Sequence, residues 1–274
     1  MGTLLATESK TMTAVSARLR IVFLALGAVS LVASLFAESQ VLALIGLGLI
    51  FWGALLMFLS PVRHVEASLL YSASIASYST VDRIIADFEY KGKGYHIPSY
   101  PKDVYLPEHL KGLKDVLVYI SAQDTTEMPP VEDLAESKFL LKDSKGVLVS
   151  PPGLGLLEEM ESKLNVDLTK TSLAELSEIL PQFLLENFNV AKDITLSLKD
   201  NTVNLRLTDS VYRNLYGTAK HSKSVAMLGC PLASAVACAL AKASGKPVTI
   251  QRYRVSLDGM MVELQFNILE GKGQ

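Results

Sequence analysis

Cys230, followed at once by Pro231, has the most direct route to chemistry of any residue in this 274-residue chain. Proline is at home in the first turn of a helix, where no amide donor is missed. A cysteine at that position faces free amide donors and the positive end of the helix dipole, both of which favour a thiolate. A nucleophile also needs a base within reach, and no histidine motif accompanies it. The expectation is therefore an inert, buried thiol. Cys238 is the only other cysteine. Eight residues along one helix place it about 12 Å away along the axis, too far for a disulfide.

The remaining reactive side chains are scattered. His64, His96, His109 and His221 show no metal-ligand spacing. Glu158, Glu159 and Glu161 fall on a helix that should have a solvated face. Lys91-Gly92-Lys93-Gly94 lacks the phosphate-loop pattern and reads as a helix stop. Gly153-x-Gly155 is too short for a dinucleotide fingerprint. No catalytic residue, cofactor or metal is expected, and the chain is read as a non-enzyme.

The element that carries the cysteines is unusual in itself. From Leu232 to Lys242 nearly every second residue is alanine, with Leu232, Val236 and Leu240 as its large ridge. Its smooth flanks let another backbone approach closely. Two arrangements fit: a central helix buried against a sheet, or a ligand or partner surface formed by Cys230, Pro231, Ala233, Ala237, Cys238 and Ala241. The helix stops at Gly245, with Pro247 just beyond.

Around it the pattern is that of antiparallel hairpins packed on helices, an α+β domain. Ile194, Leu196 and Leu198 alternate with polar residues, Asp200-Asn201 turns, and Val203, Leu205 and Leu207 alternate back. Val248–Ser256 and Met260–Leu269 flank Asp258-Gly259. Val116–Ser121 reads as a strand, and Asp143-Ser144-Lys145-Gly146 turns between two apolar triplets. Pro151-Pro152-Gly153 opens a helix to Leu164. Ser172-Leu173-Ala174-Glu175 caps another, which Pro181 should kink or split near Ser177. Residues 61–90 read as a connector helix, with Val81, Ile84, Ile85 and Phe88 on its apolar face and a start or restart at Ser79-Thr80-Val81-Asp82. Tyr95–Pro107 reads as an irregular wrapping segment.

Ahead of all this lie two runs without a charge, Ile21–Ala37 and Val41–Leu59, joined by Glu38-Ser39-Gln40. Runs of this length span about 26–30 Å as helices, close to the thickness of a bilayer's hydrocarbon core. The expectation is a transmembrane hairpin over residues 21–60, after a cytoplasmic tail of residues 1–20 and before a cytoplasmic domain at 91–274. Lys10, Arg18, Arg20 and Arg63 flank the outer ends and the turn carries no cation, so both termini should face the cytoplasm. Two cysteines agree with a reduced compartment. The net charge of −2 gives no basic field, and no nucleic acid partner is expected.

Cys230-Pro231, the small-residue helix, Gly245, Pro247, Val248 and a closing hairpin to Ile268 together resemble the end of the vinyl-reductase domain family. Asp209-Ser210-Val211-Tyr212 is similar to the same family's pattern. That resemblance implies a fold related to small subunits of vesicle-tethering complexes, and a small-molecule sensor as the functional alternative. The stretch Tyr253-Arg254-Val255 stands where some members carry cysteines, which removes the basis for a thiol or metal site there. The whole chain resembles archaeal membrane proteins with two amino-terminal spans, and this resemblance supplies no activity. The leading expectation is a membrane-anchored binding or scaffold subunit in contact with the lipid bilayer, associating with itself or with another membrane protein.

Overall fold

The computed structural model describes residues 21–58, 67–100, 114, 116–124, 128–136, 138–141, 145–217 and 222–270. The amino-terminal tail, the end of the proline-rich segment, Asp143-Ser144, and His64, His109 and His221 lie outside the described residues. The chain divides into two compact units, Met1–His64 and Val65–Gln274.

In the first unit, helix α1 (Ile21–Ala37) and helix α2 (Gln40–Phe58) run antiparallel. Gln40 belongs to the second helix, so the turn is one residue tighter than its composition suggests. The pairing is intimate because glycine allows it. A Cβ on Gly27 would lie 2.9 Å from the carbonyl oxygen of Gly46, and one on Gly53 would lie 2.9 Å from the Leu24 side chain. Ser30 donates to the Leu42 carbonyl at 3.0 Å, and Ser34 to the Leu31 carbonyl at 2.7 Å. The outer faces carry Leu26, Val29, Phe36, Leu44, Phe51 and Trp52, all exposed.

The second unit is built on one seven-stranded antiparallel sheet. Its strands are β1 (Gly94–Ile97), β2 (Leu117–Ser121), β3 (Gly146–Val149), β4 (Asp193–Lys199), β5 (Thr202–Thr208), β6 (Val248–Val255) and β7 (Met261–Ile268). Their spatial order is β3-β2-β1-β6-β7-β5-β4. The α+β class follows directly. Helices α3 (Ala67–Asp87), α5 (Leu154–Leu164), α6 (Leu173–Phe188), α8 (Ser222–Leu228) and α9 (Pro231–Ser244) contribute to the main core, together with the inward residues of the strands. A smaller cluster on the opposite face joins Tyr95, Ile97, Tyr119 and Leu148 to helix α4 (Val131–Ala135). Helix α7 (Arg213–Tyr216) links β5 to α8.

Several local expectations meet tertiary structure here. The connector is one continuous helix that buries Tyr78, Val81 and Ile85 in the core of the second unit. It runs through Ser79 without a restart, and Ser72, Ser74, Ser77 and Thr80 each donate to a carbonyl three or four residues back. The acidic member of that apparent capping box serves another helix: an Asp82 carboxylate oxygen accepts the Ser224 amide at 3.1 Å. Pro181 does not split α6, which runs unbroken. The Ser177 carbonyl opposite it lies at a half-exposed position where water can replace the missing amide. Tyr95-His96-Ile97 is not irregular but forms β1, buried on both faces.

Candidate functional site

Helix α9 lies at the centre of the domain, and every candidate site residue is on it or beside it. Cys230, Pro231, Ala233, Ala237, Cys238 and Ala241 are all buried, with the cysteines and alanines 0% exposed. None offers area to a partner chain. Of the two arrangements that its composition fits, the one found is the central helix packed against the sheet. The backbone that approaches it belongs to α5. A Cβ on Gly153 would fall 2.2 Å from the Ala235 nitrogen and 2.4 Å from the Pro231 oxygen. Gly153 is therefore a packing residue, and the small side chains of α9 make room for the start of α5.

The amino-terminal end of α9 is a closed polar knot. The Tyr78 hydroxyl donates to the Gly229 carbonyl at 2.7 Å. The Cys230 amide donates to the Tyr216 hydroxyl oxygen at 2.9 Å, and Cys230 Sγ accepts the Ala233 amide at 3.4 Å. The thiol thus caps the helix. Burial pushes its pKa up, against the pull of the Tyr216 hydroxyl and the nearby amides. Burial likewise raises Tyr216 and Tyr78 well above the phenol range, and takes Tyr212 to about 12. The phenols around this one sulfur, among the described residues, are those of Tyr78, Tyr212 and Tyr216, all held neutral. Cys238 is raised as well, also by burial. Such surroundings disfavour the thiolate.

Midway along α9, Ser234 Oγ lies 3.4 Å from His96 Nε2. His96 is fully buried, and desolvation holds it neutral, with a pKa near 4, although carbonyls of Val248 and Leu228 favour the proton. This histidine joins β1 to α9. Its ring contact is with Ser234 and not with Cys230, and no group of three or more ligating side chains that could hold a metal occurs among the described residues.

The carboxyl-terminal end is open. Lys242 Nζ donates to a Glu161 carboxylate oxygen at 2.5 Å, with both side chains largely buried. Glu161 was expected on a solvated face; the long lysine stem brings its charge to α5 instead. Close by, the Thr169 hydroxyl holds the Asp167 carboxyl below its usual pKa. Next to the ion pair lies a cleft of about 590 Å3, lined by Ile97, Pro98, Met128, Pro129, Leu134 and the end of α9 from Lys242 to Gly245. It is mainly apolar with one charged wall. Sequence reasoning placed the candidate surface along the helix; the accessible part is its last turn. The signal for that was Lys242, the one charge in the apolar run.

The outer face of β4, β5, β7 and β6 holds another concave region, about 380 Å3 in volume. Arg206 pairs there with Glu263 at 2.7 Å. Arg252 and Arg254 stand exposed beside them, turned outward by the register shift between Ile250 and Arg252.

Lys223–Ser244 is the one stretch among the described residues long and apolar enough to cross a membrane, yet 89% of its apolar window is buried inside the fold. The helix is also interrupted at Gly229-Cys230, between α8 and α9. The shorter apolar helices at the amino terminus have exposed faces instead.

A family model described as a domain of unknown function matches residues 4–266, and so takes in both units. No curated protein matches the chain, and no solved structure matches it.

Proposed function

We propose, from the premise that this chain belongs to the DUF7982 family, that it is a membrane-anchored binding protein without catalytic activity. In this reading α1 and α2 cross the bilayer as a hairpin and the second unit works on the cytoplasmic side. The observation that carries it is the contrast between the two units' surfaces. The outer side chains of α1 and α2 are large, apolar and exposed, from Leu26 at 54% to Phe36 at 87%. Such a face is stable in lipid and costly in water. Cys230, Cys238 and His96 of the second unit are meanwhile committed to its core.

Alkaline carbonate extraction of membranes tests the anchor, and release of the full chain into the supernatant overturns it. Cysteine placed at Ser39 should react with an impermeant maleimide from outside the cell, while one at Asp143 should not. The reverse pattern overturns the cytoplasmic assignment.

A second reading is an apolar-ligand sensor of vinyl-reductase type. The cleft at the end of α9 favours it, since its volume and lining suit a small apolar molecule. Mass spectrometry of small molecules that co-purify with the full chain tests this reading; the cleft should yield one apolar compound in stoichiometric amount, and its absence removes the reading.

A further inference from the structure

The two edges of the sheet are treated differently. On β3 the segment before it folds back: the Leu148 amide donates to the Phe139 carbonyl at 2.9 Å and the Leu141 amide to the Gly146 carbonyl at 3.1 Å. Leu140 bridges Val147. On β4, the opposite edge, no strand pairs with the free side among the described residues. An open edge presents unsatisfied amides and carbonyls that template another strand.

The sequence of that edge is self-complementary when reversed. β4 reads Asp193-Ile194-Thr195-Leu196-Ser197-Leu198-Lys199. Antiparallel pairing of two copies about Leu196 sets Asp193 against Lys199, Ile194 against Leu198, Thr195 against Ser197 and Leu196 against itself. The two-fold axis is then perpendicular to the sheet, so the inner faces of both copies lie on the same side. Ile194 is buried, but Leu196 and Leu198 are only half-buried in the single chain, and a second edge would cover them. Asp193 and Lys199 are exposed and have no ion-pair partner among the described residues. In the pair each gains one, twice over by symmetry. A two-fold contact requires one patch to complement itself, and here charge, apolar positions and hydroxyls all do so about one residue.

We infer that β4 is a dimerisation edge, and that two copies of this chain join through it into a continuous fourteen-stranded antiparallel sheet. The inference names the partner in the binding role proposed above. It is independent of the membrane anchor.

Charge exchange on the full chain in detergent tests it, by sedimentation equilibrium and native mass spectrometry. Asp193→Lys and Lys199→Glu each replace two attractive cross-strand pairs with two repulsive ones. Each should raise the dimer dissociation constant about tenfold or more. Mixing the two variant chains restores opposite charges at both ends, and should give a heterodimer as tight as the wild-type dimer. The double variant Asp193→Lys/Lys199→Glu should also recover. Both positions are exposed, so the fold should survive, and unchanged thermal unfolding checks that. A monomeric wild-type chain overturns the inference, as does a dimer whose dissociation constant neither single reversal changes. Carbonate extraction of the same variants reads the anchor separately, because retention in the membrane should not respond to either substitution.

Discussion

His96 and Cys230 show how burial decides what a titratable side chain can do. For His96 the folded pKa, near 4, lies below the ordinary value of 6.5. Between these values the unfolded chain holds more protons than the folded one, so stability falls as pH drops through that window. The full difference corresponds to roughly 3 kcal/mol. Thermal unfolding of the wild-type chain between pH 7 and pH 4 should lose that much more than the His96→Gln variant does; equal pH slopes would contradict a neutral, buried imidazole. The same reasoning makes Cys230 inert. Iodoacetamide near neutral pH should leave it unmodified in the folded protein, and Cys230→Ser should preserve binding of any partner at modest cost in stability. Rapid alkylation of Cys230 ahead of Cys238 would reverse this and bring a reactive thiol back into consideration.

Among the elements, α5 and α9 give the sharpest contrast, because two glycines two positions apart face different surroundings. Gly153 has φ −90°, a conformation open to alanine, so its requirement is steric alone. Gly153→Ala should cost about 1–3 kcal/mol, since the new methyl meets backbone that cannot move aside. Gly155 has open space around it, and Gly155→Ala inside the helix should be stabilising by about 0.4–1 kcal/mol. Chemical or thermal unfolding of both variants checks the pair, and equal effects would remove the close approach of α5 to α9. Ala237→Leu and Ala239→Leu should each cost about 1–3 kcal/mol through overpacking. What could be read in sequence follows from what is local. The hairpins at Asp200-Asn201 and Asp258-Gly259, the Ser172 cap and the Gly245 stop depend on neighbours within a few residues. β1 was not legible because both its faces are buried and no alternation marks it. α8 is short and draws its cap from Asp82, 142 residues away. The accessible cleft was missed for the same reason: its walls come from β1, the Met128-Pro129 segment and the end of α9, and no motif spans such a distance.

At the scale of the molecule, the second unit carries its own core, and residues 65–274 expressed alone should fold and unfold cooperatively as they do in the full chain. Aggregation of that fragment, or loss of its transition, would mean that the domain depends on the first unit. The strand order has a different consequence. β6 and β7 come last in the chain but occupy the middle of the sheet, and they alone join β1-β2-β3 to β5-β4. β1 meets β6 through only two register pairs, Tyr95 with Thr249 and His96 with Val248. On the ribosome the two flanks of the sheet therefore emerge long before the strands that unite them. The first unit is made early, while the domain behind it stays incomplete until β6 and β7 have been translated. Anything that meets the unfinished chain meets two half-sheets with open inner edges, and translation of β6 and β7 closes both at once.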